Sequence, residues 1–284
     1  LSQKSQKKGG DKMRSQKLLF SLLAAAIIVL APFTLALAYP SGMVSYWQFD
    51  EGSGTTVYDT IGSNNGTIYG ALWTSGISGT ALSFNGTNDY ISVANDPSLN
   101  PDSITVEAWV NYSASPSSYD TFIVNKTIGA DQGYGLGDGY YEATGEPLSW
   151  GNYSFTLATT DSYYSVDSGI SVKVNEWVQV VGTYDDTTGI AKIFVNGQEK
   201  NQRYLPSAIV KDNNELDIGT HLLTPIRSFN GLIDEVAIYN RALTSNEVQQ
   251  RYLTIVPEPI SSILFVTGGA TLAVRCYLKR KKKA

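Results

Sequence analysis

The chain has one cysteine (Cys276) and one histidine (His221) in 284 residues. A lone cysteine excludes an intramolecular disulfide framework and a cysteine-rich zinc site. A lone histidine argues against a histidine metal cluster and against Ser-His-Asp catalysis. Charge is sparse too, at 17% of residues, and it is unevenly placed. Residues 1–38 carry six Lys/Arg and one acid, and 275–284 carry six Lys/Arg and no acid. The stretch 39–254 holds nine basic and 24 acidic residues, a net charge of −15. It lacks the clustered cations that phosphate contacts need, so nucleic acid is not an expected partner. An acidic body suits solubility and divalent cations better. Gly-x-Ser-x-Gly, His-Glu-x-x-His and Walker loops are absent. The Gly-rich run 133–139 has no clear helix after it to cradle phosphate.

What is present is a folded composition: 42% hydrophobic, with 26 Gly, 18 Tyr and 5 Trp. Between residues 39 and 254 apolar side chains recur with period two, in short runs separated by Gly, Asn, Asp and Ser. That pattern predicts an antiparallel sandwich or barrel. Strands are expected at 44–49, 104–112, 177–184, 190–195, 216–218 and 231–239. Asn196-Gly197 marks a tight hairpin that continues into 198–200. Trp47, Trp109 and Trp177 fall at alternating positions and are expected in the core. One helix is expected, with Thr244 and Glu247 forming a capping box and Leu253 near its end. No linker divides 39–254.

Both ends look like targeting segments. Residues 13–38 give a basic start, a long apolar run and Ala36-Leu37-Ala38, the form of a signal peptide cleaved after Ala38. Met13 is the expected start, with 1–12 upstream of it. At the other end, Pro257, Glu258 and Pro259 break any arriving helix. A short apolar run follows, then a basic tail of Arg275 and 279–283. Counted through 278, with Arg275 snorkelling, the run is just long enough to span a membrane.

The order Pro-Glu-Pro, short span, basic tail resembles the PEP-CTERM sorting signal of bacterial surface proteins. That resemblance implies a membrane exosortase as partner and cleavage near the motif. The residues between resemble a second family. Its blocks are 44–54 (Val-Ser-Tyr-Trp-Gln-Phe-Asp-Glu-Gly-Ser-Gly), 79–93, 104–110, 177–197 and 229–244 (through Asp234-Glu235-Val-Ala-Ile-Tyr239). In this order they resemble the laminin-G-like, concanavalin A-like jelly roll. The resemblance implies an all-β, two-sheet antiparallel sandwich over 39–254, between a signal peptide in 1–38 and a sorting segment in 255–284. Glycosidases sharing that fold carry Glu-x-Asp-x-x-Glu on one strand. That motif is missing, so the chain is expected not to be an enzyme.

Two candidate sites follow. The resemblance implies calcium near the first and last strands, where Asp50, Asp59 and Asp234 are the candidate ligands. Ca²⁺ takes six to eight oxygens, so loop carbonyls and water would complete them. Turn-capping aspartates are the alternative. The segment 129–167 is rich in aromatics and carboxylates and fits the family pattern least. Tyr140, Tyr141, Trp150 and Tyr153 are its candidates for stacking on a glycan, with ordinary core aromatics as the alternative. The expected function is a secreted or surface-sorted, non-catalytic module that binds carbohydrate or matrix polymer, held transiently in the membrane by its C-terminal helix. Its rivals are a structural envelope protein without a ligand and a divergent glycan-active enzyme.

Overall fold

The computed structural model describes residues 39–116, 121–127, 132–139, 151–211, 213–221 and 227–256. All but Tyr39 fall in one compact unit. The strands, in chain order, are β1 (Met43–Trp47), β2 (Thr56–Val57), β3 (Gly66–Tyr69), β4 (Leu72–Ser75), β5 (Thr80–Asn85), β6 (Tyr90–Val93), β7 (Ile104–Tyr112) and β8 (Thr121–Thr127). They continue as β9 (Gly133–Asp138), β10 (Asn152–Ala158), β11 (Tyr163–Ser171), β12 (Val178–Asp185), β13 (Ile190–Val195), β14 (Gln198–Tyr204), β15 (Leu216–Ile218) and β16 (Asn230–Tyr239). One helix, α1 (Ser245–Ile255), follows.

The strands form two antiparallel sheets. The first runs β14-β13-β12-β7-β16-β5-β4, with β1 also paired to β16. The second runs β11-β10-β9-β8-β15-β6-β3-β2. Period two decides which residues meet between them. Across the second sheet the register aligns Ile68, Ile91, Ile218, Val124, Leu136, Phe155 and Val166 in one row. All seven belong to the main core, with Trp47 and the alternate residues Ile104, Val106, Ala108 and Val110 of β7. The two sheets meet where Phe155 lies over Gly182 of β12. A Cβ on Gly182 would sit 2.2 Å from the Phe155 ring, so the sandwich needs a bare backbone there.

A second, smaller core covers the far side of the first sheet. Tyr46, Val181, Phe194, Ala237 and Tyr239 meet Leu243 and Val248 there. Helix α1 is fixed at its start by the expected capping box: the Glu247 amide donates to Thr244 Oγ1 (3.3 Å) and Thr244 N–H donates to Glu247 Oε2 (2.9 Å). Arg241 adds two charge-assisted bonds to Glu247, at 2.6 and 3.0 Å. They hold the Glu247 carboxyl down at about 2.

Two expectations change in detail. Trp109 is buried, but its ring stacks on Tyr252 of α1 with centroids 5.5 Å apart, beneath the helix and not between the sheets. Trp177 precedes β12 and is only half-buried, because the strand begins one residue later. The Gly-rich run, for which alternation predicts no strand, forms β9. The aromatic ring of Phe122 takes the space its glycines leave: a Cβ on Gly135 would sit 2.7 Å from that ring.

Candidate functional site

Two places combine chemistry with position. The first lies where β16 changes neighbours. Its first half pairs with β5 and its last residues pair with β1. Between these lies a register shift, with Glu235 in the left-handed region at φ 53°. A non-glycine residue there marks a strained bulge. Asp234, fully buried at this junction, accepts from the amides of Ile77 (3.0 Å), Ser78 (3.3 Å) and Glu235 (2.8 Å). Asp50 accepts from the Thr80 amide (2.9 Å) on the same β4–β5 turn. A Cβ on Gly76 would sit 2.3 Å from Asp234 Oδ2, and one on Gly79 1.9 Å from Asp50 Oδ1. Burial pushes the Asp234 carboxyl up to about 8, and the Asp50 charge adds to the rise.

Asp59 does not join them. Its Oδ1 accepts from the amides of Tyr46, Ile61 and Gly62, and its Oδ2 from that of Asn64, at 2.9–3.1 Å. It is a clasp for the turn after β2, and its lone pairs are committed to backbone N–H groups. No group of three His, Cys, Asp or Glu among the described residues could hold a metal ion. Of the three candidate calcium ligands, Asp50 and Asp234 are bonded to the β4–β5 turn and Asp59 to a different one.

Beside this junction, Glu235 faces the other way in its chemistry. Its carboxylate accepts from the Tyr46 hydroxyl. Burial pushes it up to about 7, eased by Arg251. Arg251 of α1 donates from Nε to Glu107 Oε2 at 3.1 Å, with both side chains almost wholly buried. Glu107 also accepts from Gln179 (2.8 Å) and the Tyr239 hydroxyl (3.3 Å). The register holds no hint of this network in the sequence beyond an acid at an alternating position.

The second place is the face of the second sheet turned away from the core. The row one residue over from the apolar row aligns Thr67, Ser92, Asp217, Asn125, Gly135, Thr156 and Ser165. All seven are polar or bare. Aromatic rings border the row. Phe122 packs by His221 (centroids 5.5 Å apart), and Tyr69 stacks on Tyr90 (4.6 Å, 13°). Asn125, Gly135, Thr156, Ser165, Asp217 and the Phe122 and His221 rings are buried; the end of the row that reaches the surface is that of Thr67 and Ser92 with Tyr69 and Tyr90, where hydroxyls stand beside aromatic rings as a polyhydroxylated ligand needs.

The sequence of residues 85–249 matches the model of the concanavalin A-like lectin/glucanases superfamily. The chain belongs to that superfamily. The fold agrees with solved members of similar architecture. Domain 4 of AbnA, a GH43 extracellular arabinanase from Geobacillus stearothermophilus solved with arabinotriose, is 21% identical (TM-score 0.58; 73% of this chain, 97% of that one). The binding domain of Paraclostridial Mosquitocidal Protein 1 is 15% identical (TM-score 0.60; 75% and 52%). The binding domain of botulinum neurotoxin serotype D is 18% identical (TM-score 0.57; 74% and 51%). The chain spans about half of the last two. At these identities the likeness establishes the concanavalin A-like fold alone. No curated protein sequence matches.

Of the candidate sugar-stacking residues of this superfamily member, Tyr140, Tyr141 and Trp150 lie outside the described residues. Tyr153 is a correction. It is fully buried, packs edge-on against Tyr112 (6.1 Å), and accepts from the Lys173 amide (3.1 Å). A ring with no exposed face cannot stack on a sugar. Tyr153, Phe155 and Leu157 alternate inward, a signal the sequence did carry. The Tyr69–Tyr90 pair was missed because its members lie on different strands and meet only through the β3–β6 register. Pro257, Glu258 and Pro259 also lie outside the described residues. Among the described residues no helix is long and apolar enough to cross a membrane.

Proposed function

We propose that the chain is a non-catalytic, saccharide-binding module that acts outside the cytoplasm. The observation that carries this is the solvent-facing end of the outer row of the second sheet, where Thr67 and Ser92 lie beside the stacked rings of Tyr69 and Tyr90. There a rigid sheet presents the Thr67 and Ser92 hydroxyls at fixed spacing beside rings that suit sugar C–H faces. The superfamily and the arabinotriose-bound domain of AbnA support the same reading.

Calcium fits this chain through two carboxylates instead of three. Asp234 is buried with the negative Asp50 as its neighbour, and a divalent cation between such groups would relieve the cost of that arrangement. Asp50 and Asp234 would hold the ion, and loop carbonyls and water would complete its shell. The ion would stiffen the β4–β5 turn. Secretion by the 13–38 segment, and sorting by an exosortase at Pro257, Glu258 and Pro259, fit an extracellular role. The test of sorting is the intact mass of protein recovered from its host. Loss of the basic residues 279–283 supports cleavage, and their presence refutes it.

A glycan-active enzyme is the second reading. Glu215 and Asp217, two residues apart at β15, favour it, since glycoside hydrolysis uses paired carboxylates. A glycan array probed with the full-length protein, followed by assay of released sugar, separates the readings. Saturable binding without product supports a module, product supports an enzyme, and neither supports a structural protein.

A further inference from the structure

The β3–β6 corner of the second sheet carries two tyrosine rings on its outer face. Tyr69 is 46% exposed and Tyr90 half-buried. They are directly opposed in register, and their planes are within 13° at 4.6 Å. Each ring therefore locks the other, and the pair forms one preorganised slab. Tyrosine suits such a platform because it offers large, rigid contact area with a polar tip.

The groups beside the slab share one sign. Ser92, two residues along β6 and on the same face, donates to Glu215 Oε2 at 2.5 Å. Glu215 is exposed, and Asp217 stands opposite Ser92. Burial holds the Tyr90 phenol up, and the charged neighbours that add to the rise are Tyr69, Asp217 and Glu215, all acids. Lys126, on β8, is a buried base whose ammonium donates to Asn95 Oδ1 (2.9 Å) and to the Asn214 carbonyl (2.6 Å). The corner is thus an aromatic platform with one exposed carboxylate acceptor, Glu215, at its side and the buried negative charge of Asp217 beneath it.

We propose that Tyr69 and Tyr90, with Ser92, Glu215 and Asp217 beside them, form a saccharide subsite that takes an amine-bearing or uncharged sugar ring and rejects an acidic one. It rests on the saccharide-binding reading and adds a charge rule to it. The sugar's C–H face lies on the tyrosine slab. Its hydroxyls donate to Glu215, and an ammonium group gains a charge-assisted bond there. A uronic acid would bring a third negative charge to two carboxylates.

The test is titration of the full-length protein with three probes of similar length: deacetylated chito-oligosaccharide, its N-acetylated form and oligogalacturonate. Affinity should fall in that order, and the lead of the amine form should shrink with salt. Tyr69→Ala should weaken both chito-oligosaccharides by roughly fivefold to a hundredfold, the range of one lost stacking ring. Tyr69→Trp should keep them. Glu215→Gln should erase the lead of the amine form over the N-acetylated form. Both positions are exposed, so melting curves should stay at the parental temperature.

Glycan binding that ignores all three variants overturns the subsite and leaves the module reading standing. Preference for oligogalacturonate overturns the charge rule. Failure to bind any sugar on a broad array overturns both readings. Binding of oligolysine with no sugar binding does the same, and assigns the corner to a basic peptide.

Discussion

Arg251→Ala tests whether α1 is held to the sandwich by a buried charge. The Arg251 Nε lies 3.1 Å from Glu107 Oε2, and their side chains are 4% and 0% exposed. The guanidinium also sits 5.1 Å over the Tyr46 ring. That tyrosine donates to Glu235, whose carboxyl Arg251 helps to keep ionisable. Removing Arg251 leaves Glu107 with the Gln179 amide and the Tyr239 hydroxyl as neutral donors, in a region water does not reach. Breaking such a pair from one side costs about 3–5 kcal/mol. For a domain of this size each kcal/mol lowers the melting temperature by about 2–4 °C, so the loss should be roughly 6–20 °C. The double variant Glu107→Gln/Arg251→Met should recover much of it, because neutral packing replaces both charges together. Thermal melts by circular dichroism read both. A loss below about 1 kcal/mol, or a double variant no better than the single one, would refute the claim that an uncompensated carboxylate sets the cost.

Gly182→Ala places a Cβ 2.2 Å from the Phe155 ring. It should destabilise by about 1–3 kcal/mol or more, measured by denaturant titration, and a neutral result would show that the sheets separate freely. The folded carboxyls of Asp234 (about 8) and Glu235 (about 7) lie above their ordinary values, so the native state holds more protons than the unfolded chain between about pH 4 and 8. In chelator, stability should therefore fall as pH rises through that window. In millimolar calcium the fall should shrink to the share of Glu235, as Asp234 ionises against the cation, and the melting temperature at pH 7.5 should rise by several degrees. Identical pH profiles with and without calcium would remove the cation from the account.

Much of the fold was legible. Strands Ile104–Tyr112, Ile190–Val195 and Leu216–Ile218 lie where alternation places them, and the Thr244–Glu247 box starts the helix. Alternation works there because the alternate apolar residues of each strand fall on the side turned to the main core. It does not reveal β9, whose glycines at 133, 135 and 137 show no side chain to alternate, and whose missing volume is supplied by Phe122 from the next strand. It does not distinguish Trp109 from Trp47 either, because a helix can bury the outer side of a sheet as fully as a second sheet buries the inner one. The site was less legible. Asp59 resembles Asp50 in sequence, yet four backbone amides claim its carboxylate. The bulge that sets Asp234 and Glu235 to different partners leaves no mark in an ordinary alternating run. The tyrosine slab depends on register between strands, which no local pattern states.

The central claim is that the outer face of the second sheet binds saccharide without cleaving it. The most direct measurement is equilibrium titration of the full-length protein with the best array hit, read alongside product analysis of the same mixture after prolonged incubation. The account predicts saturable binding that Tyr69→Ala weakens by roughly fivefold or more, with the oligosaccharide recovered intact. Binding that survives loss of the Tyr69 and Tyr90 rings in a folded protein, or recovery of shortened products, would contradict it.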